Sequence, residues 1–334
     1  MKVLFARRMS WLALIALCGC VAAGGEDQTA RPKFPPKTGV LTAGIQHDIA
    51  DLHPLVTFPV EGHPDWMAVA EGGVWVTSSS ANHVVWLDAA TNKPGAVIEV
   101  DKPCSGLAIG FGSIWIPSCG GHNLVRADVR TGRIQATVAA GPADSEGGVA
   151  TGAGSVWIVT SKDGDLARID PAMNAVIAHI HIPAGSFNPI YDRGSVWVSS
   201  NQQGTLVRVD PATNKVIGET PVGPLPRFLT AGAGSIWVLN QGDGTIARVD
   251  EASGKRTAVI AAGIPGFGGE IAFGGGAVWA TVFQFPITRI DASTGMVTGQ
   301  WRGPGGDSIR YGHGSVWLTS LRGGVVWRLA PPMR

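Results

Sequence analysis

Between Gly194 and Gly223, in the stretch GSVWVSSNQQGTLVRVDPATNKVIGETPVG, apolar and polar positions alternate in three short runs separated by Gly-, Asn- and Asp-rich breaks. A period of two over five to seven residues, bounded by turn formers, is the signature of antiparallel strands. It predicts strands over 195–200, 205–210 and 216–222. A fourth run just upstream passes through Pro189, Ile190 and Tyr191.

This unit tiles most of the chain. Its Trp returns as Trp75, Trp115, Trp157, Trp197, Trp237, Trp279 and Trp317, at intervals of 38 to 42 residues. Thirteen residues later, or twelve in one copy, stands an Asp: Asp88, Asp128, Asp170, Asp210, Asp250 and Asp291, with Ala330 in the seventh copy. Two residues before those positions come Trp86, Arg126, Arg168, Arg208, Arg248, Arg289 and Arg328. Two independent markers holding one spacing through seven copies predict an all-β fold, a seven-bladed β-propeller of four-stranded antiparallel blades.

The turn from third to fourth strand reads Asp-Pro-Ala-Thr-Asn-Lys at 210–215, where Pro fixes φ and Asn214 tolerates the left-handed region. Gly132, Asn174, Gly254 and Gly295 occupy the equivalent of Asn214. The seventh copy stops before its outermost strand, which would leave an unpaired edge. The segment Pro54 to Val60 resembles Val216 to Val222, so the N-terminal strand is expected to complete the last blade and close the ring.

Residues 1–20 open with Lys2, Arg7 and Arg8 and continue into an apolar run from Trp11 to Leu17, too short to span a bilayer and of the form of an export signal. Leu17-Cys18-Gly19-Cys20 resembles a bacterial lipobox, which implies lipidation at Cys20; the alternative is cleavage near Ala22 or Ala23. The expected location is the periplasm or cell envelope as a lipoprotein, or alternatively the medium as a secreted protein. Residues 21–49 mix Gly, Pro and charge and read as a flexible tether. The propeller is expected over 50–334.

Charged residues make up 15% of the chain and the formal net charge is +1, which leaves no electrostatic footprint for nucleic acid. Membrane contact is expected only through a lipid anchor, and the chain is expected to act as a monomer. Cys104 and Cys119 lie symmetrically about the turn at Phe111-Gly112, which predicts directly opposed cross-strand positions and a disulfide in an oxidising compartment.

Function is expected at one end of the central channel, where the loops entering the inner strands meet those between second and third strands. The mouth positions differ in every blade, unlike the framework: Asp65 and Trp66, Ser105 and Gly106, Gly147 and Gly148, Phe187 and Asn188, Arg227 and Phe228, Gly269 and Glu270, Asp307 and Ser308, with Arg310 further along its strand and Glu146 and His63 just outside. Positions free of the repeat's rules are where a ligand site can be specified. Asp65, Glu270 and Asp307 carry oxygens suited to calcium or magnesium, and Asn188 could add an amide oxygen. Arg227 and Arg310 suit a substrate carboxylate, and Trp66 and Phe228 an apolar group. The bland alternative is that these charges pair with one another around a watery channel.

The repeat, with its Gly-Ser-Val-Trp-Val and its Arg-Val-Asp-Pro-Ala-Thr-Asn-Lys-Val, resembles the virginiamycin B lyase family of seven-bladed propellers and the YVTN-type surface repeats. That resemblance covers about residues 50 to 331 and implies magnesium-assisted opening of a cyclic depsipeptide by inner-strand histidines and a loop Glu. The position ten before each Trp is here Asp65, Ser105, Gly147, Phe187, Arg227, Gly269 or Asp307, with no His among them. Three readings therefore stand: a propeller binding a small-molecule or peptide ligand at its channel mouth, a metal-dependent lyase or hydrolase with Glu270 and Asp65 as catalytic groups, and a surface scaffold for a protein partner.

Overall fold

A computed structural model describes residues 33–332. The expected export signal, Cys20 and the first part of the expected tether lie outside the described residues. The rest forms seven antiparallel sheets in chain order, one per repeat, and among the described residues helix is confined to two single turns at Ile49–Asp51 and Leu321–Gly323.

The fourth blade is built from Ser186–Asp192, Ser195–Ser200, Thr205–Asp210 and Lys215–Pro221, so its outer strand starts one residue before the pattern predicts. The Asp marker makes the following turn: the Asp210 carboxylate accepts from Ala212 N–H (2.9 Å) and the Thr213 hydroxyl (2.7 Å), and Asn214 has φ of 55°. The Trp and Arg markers act together. Trp197 is buried, and the Arg208 guanidinium lies 4.9 Å from its ring centroid, a stacking worth about 0.5–1 kcal/mol. Arg208 Nε donates to Ser195 Oγ within the blade (2.9 Å), and Nη1 donates to Ala252 O in the next one (3.2 Å). Arg126, Arg168 and Arg328 likewise reach into the following blade. The Arg row therefore ties blades together. In the first blade Trp86 replaces it and packs on Trp75 at 5.3 Å.

The ring closes as expected. Val56–Pro59 pairs antiparallel with Val325–Leu329, the third strand of the last blade, and Phe58 stacks on Trp317 with centroids 5.7 Å apart. Hydrogen bonds from Leu55 N–H to Arg328 O (2.8 Å) and from Val60 N–H to Gly324 O (2.9 Å) extend the pairing at both ends.

The expected tether is corrected. Its final part is an ordered arm against the sixth blade, and the packed body begins at Phe34. Gln46–Asp48 runs parallel to Val297–Gly303 as a fifth strand, and Gly39 N–H donates to Gly263 O (2.9 Å). Gln300, fully buried, accepts from Val40 N–H (2.6 Å) and donates to Ala262 O (2.9 Å). The arm is held by these hydrogen bonds together with Phe34 against Phe267 (4.7 Å), His47 stacked on Trp301 (5.3 Å) and the buried Ile49.

The Cys104–Cys119 disulfide is present, with Cα atoms 5.8 Å apart. Its cysteines are not directly opposed as expected. Pro103 pairs with Ser118, Cys104 N–H donates to Pro117 O (3.3 Å), and the inner-strand register is recovered only at Ala108 opposite Trp115. The bond thus staples an irregular entry, ahead of the short inner strand Ala108–Gly110.

Candidate functional site

That irregularity recurs in three other blades at the channel mouth. The register between first and second strands shifts between Ser186 and Asn188, between Pro226 and Phe228, and between Pro64 and Met67. Each shift leaves an extra residue out of the ladder, and the residues freed are Phe187, Arg227 and the Asp65–Trp66 pair. A bulge re-aims side chains away from the sheet's alternation. This is how a shared framework presents different chemistry at the mouth ends of the first, fourth and fifth blades.

Two layers follow. The deeper is apolar: Trp66 from the first blade and Phe228 from the fifth are buried against each other with ring centroids 5.7 Å apart. They are the floor of the mouth, over a cavity of about 110 Å³ that Leu107, Val149, Glu270 and Arg310 also line. Both rings, expected as ligand contacts, are thus largely covered by each other and by the surrounding core. Gly106 borders this floor, where a methyl group would make an ordinary contact with the Trp66 ring at 3.5 Å.

The upper layer is charged. Arg227 packs on the Phe187 ring at 4.3 Å and forms an ion pair with Asp144 at 2.7 Å. Burial acts to raise the Asp144 carboxyl, but Glu146 N–H, Arg227 and Lys162 outweigh it and hold Asp144 below the ordinary range. Asn188 is a clasp between neighbours, donating to Glu146 O (3.0 Å) and Arg227 O (3.1 Å). Glu270, buried at the start of the sixth inner strand, takes the Arg310 guanidinium on one oxygen and the Ser308 hydroxyl on the other. Burial raises its carboxyl against the pull of both partners.

Three carboxyls have no cation within ion-pair distance among the described residues: Asp65, Glu146 and Asp307. Asp307 accepts from Gly269 N–H (3.2 Å) and shares a hydrogen bond with Asp65. Burial, and then the charge of Glu270, pushes Asp307 up to about 6. Asp65, deep in the mouth with an edge still open to solvent, is raised well above the ordinary range by burial and then by Asp307, Glu146 and Glu270. Burial first, and then Asp307, pushes Glu146 up to about 7.

The structure thus brings together Asp65, Asn188, Arg227, Glu270, Asp307 and Arg310 as the sequence suggested, with roles redistributed. Both arginines are already occupied by carboxylates of the protein. Asp65, Glu270 and Asp307 do not converge as a calcium or magnesium cage, because Glu270 is committed to Arg310 and Ser308; among the described residues no group of three or more His, Cys, Asp or Glu is arranged to hold a metal. Sequence reasoning missed Asp144 and Lys162. The visible signal for Asp144 was the 42-residue interval from Trp115 to Trp157, which lengthens the loop that carries it.

No family model matches the chain, and no curated protein matches it by sequence. Solved structures do. Virginiamycin B lyase from Staphylococcus aureus superposes with a TM-score of 0.67 at 18% identity, over 83% of this chain and 99% of the lyase. A catalytically inactive variant of that lyase with quinupristin gives 0.70 at 16% identity over the same shares. BamB from Moraxella catarrhalis gives 0.61 at 13% identity over 84% of this chain and 99% of its own. What these share with the chain is the propeller. At such identities the likeness is one of fold, and activity must be argued from the site.

Proposed function

We propose that the protein is an exported binding propeller, anchored through Cys20 and acting as a monomer, whose channel mouth takes a cationic small molecule or the basic end of a peptide. One observation carries this reading: Asp65, Glu146 and Asp307, contributed by three separate inner-strand entries, crowd one partly buried mouth without a cation among them, while the neighbouring arginines are already paired. Crowded carboxyls at low dielectric repel one another, and a bound ammonium or guanidinium relieves that repulsion. The disulfide supports an oxidising compartment. The mouth has no histidine at the inner-strand positions expected of the lyases, and Glu270 is tied into a structural pair, so binding without chemistry is the reading the geometry favours over a metal-dependent lyase or hydrolase.

Calorimetric titration with an alkyl diamine at pH 8 and pH 5 tests it. Binding at pH 8 that weakens at pH 5, as the raised carboxyls take up protons, and that is lost in Asp307→Asn, is the expected result. Equal binding of a neutral diol, or no effect of Asp307→Asn, would remove the proposal.

A further inference from the structure

Glu146 lies in the loop 139–148, which joins the outer strand of the second blade, Ile134–Val138, to the inner strand of the third, Val149–Gly152. Its own blade holds this loop through Ala143 N–H, which donates to Val159 O (2.9 Å), and through the Lys162–Asp144 ion pair (3.4 Å). Asn188 and Arg227 reach it from the fourth and fifth blades. Further ties come from the second blade, and they fall on both sides of Glu146. The fully buried Ser105 donates its hydroxyl to Asp144 O (2.9 Å), and Gly106 N–H donates to Gly147 O (3.0 Å). The start of the loop lies against the same blade, since a methyl group on Gly141 would meet the His122 carbonyl carbon at 2.5 Å.

The stretch that carries Ser105 and Gly106 has little support from its own sheet. The second blade's inner strand covers only the three residues Ala108–Gly110, against seven in the fourth and fifth blades. Upstream, Pro103 bridges Ser118 and Cys119 N–H donates to Lys102 O (3.0 Å). Between these two paired regions, residues 105–107 have no ladder partner, and Ser105 and Gly106 direct their hydrogen bonds to the third blade's loop instead. The Cys104–Cys119 bond fixes the upstream end of that unpaired run, with Cys104 Sγ 3.8 Å from Ser105 Oγ.

We propose that the disulfide is a positioning element for the mouth: through Ser105 and Gly106 it holds the loop that places Glu146 beside Asp65 and Asp307. The second blade offers the mouth only Ser105 and Gly106, neither of them charged, so its part in binding is to hold its neighbour's carboxyl in place. A group already fixed in its binding geometry loses less freedom when the ligand arrives, and affinity rises accordingly. The inference rests on the mouth being the binding site and adds what sets its geometry. Its consequence is that a chain with free thiols at Cys104 and Cys119 has a weaker mouth than the disulfide-bonded protein.

The test titrates the alkyl diamine into the parent protein, Cys104→Ala/Cys119→Ala and Ser105→Ala at pH 8 and pH 6, and follows hydrogen exchange in all three. Ser105→Ala keeps the disulfide, so it decides the matter if the cysteine variant does not fold. Both variants are expected to weaken binding at pH 8, the cysteine pair by about tenfold and Ser105→Ala by a smaller factor. The difference from the parent should narrow at pH 6, because Glu146, pushed up to about 7 by burial and then by Asp307, is mostly protonated there in the parent as well. General structural damage would instead weaken binding by the same factor at both pH values. Exchange is expected to rise at Ala143, Glu146 and Gly147 before it rises in the fourth blade. Parent-like binding and exchange in both variants, or a loss of equal factor at the two pH values, overturns the positioning role and leaves the mouth reading standing. If the parent does not bind the diamine, the mouth reading falls and exchange alone decides: faster exchange at Glu146 and Gly147 in the variants upholds the tie to the loop, and unchanged protection removes it.

Discussion

Asp65 and Asp307 meet carboxyl to carboxyl across the seam between the first and seventh blades, where the ring is completed. Both are raised, so the folded chain holds protons there that the unfolded chain has already released. Wherever the native state binds more protons, stability falls as pH rises. The loss begins in the ordinary carboxyl range and continues through about 6, where Asp307 titrates. Asp65→Asn replaces one repelled charge with an amide that donates to Asp307. It is expected to raise the melting temperature at pH 8 and to leave it nearly unchanged at pH 4. Equal destabilisation at both pH values would show that the pair is not strained.

Glu146 extends the same argument to higher pH. Its carboxyl titrates at about 7 in the folded state against 4.5 as reference. Its contribution is unfavourable and grows as pH rises between those values, reaching on the order of 3 kcal/mol as an upper bound. Glu146→Gln should flatten the stability profile between pH 5 and pH 8 in urea denaturation, with the gain growing from pH 5 to about pH 7 and levelling off above it. A variant profile parallel to the parent's would mean that Glu146 is not the group responsible.

The blades were legible because their markers serve the framework: a Trp packed under an Arg, and an Asp closing a turn, must recur wherever the geometry recurs. The mouth positions were legible by default, as the places where the repeat imposes nothing. Their pairing was not. Arg227 reaches Asp144 from a bulge at the inner-strand entry, and such a bulge leaves no mark in an alternating pattern; Glu270 meets Arg310 from a neighbouring blade, a contact between blades that the spacing within one repeat does not reveal. The arm was hidden for a different reason. Gln300 holds it through amide hydrogen bonds, and a single buried Gln in an outer strand looks like any solvent-facing one. The twelve-residue spacing from Trp279 to Asp291, against thirteen elsewhere, reports only the irregular pairing of that blade's second and third strands and not the arm on its outer edge.

Glu270 and Arg310 form a buried pair, and removing one partner strands the other. Arg310→Ala should cost roughly 3–5 kcal/mol in urea denaturation, because Glu270 is left buried with only the Ser308 hydroxyl. Replacing both by apolar residues, Glu270→Leu/Arg310→Met, should cost much less than the single change. A double variant as unstable as Arg310→Ala would show that the pair's value lies in more than mutual compensation.

Phe58 tests whether the N-terminal strand holds the circle shut. Its ring is buried against Trp317, from a strand with no covalent link to the last blade except through the whole propeller. Phe58→Ala removes that contact and opens a cavity, at a cost of roughly 3–5 kcal/mol. Because the strand supplies the only partner among the described residues for the outer edge of Val325–Leu329, its loss is expected to be felt first at the seam. Hydrogen exchange should then rise in Val325–Leu329 and Ser315–Ser320 before it rises in the fourth blade, which lies far around the ring. Uniform exchange across all blades would mean that the propeller unfolds as one unit and that closure is no weaker than any other junction.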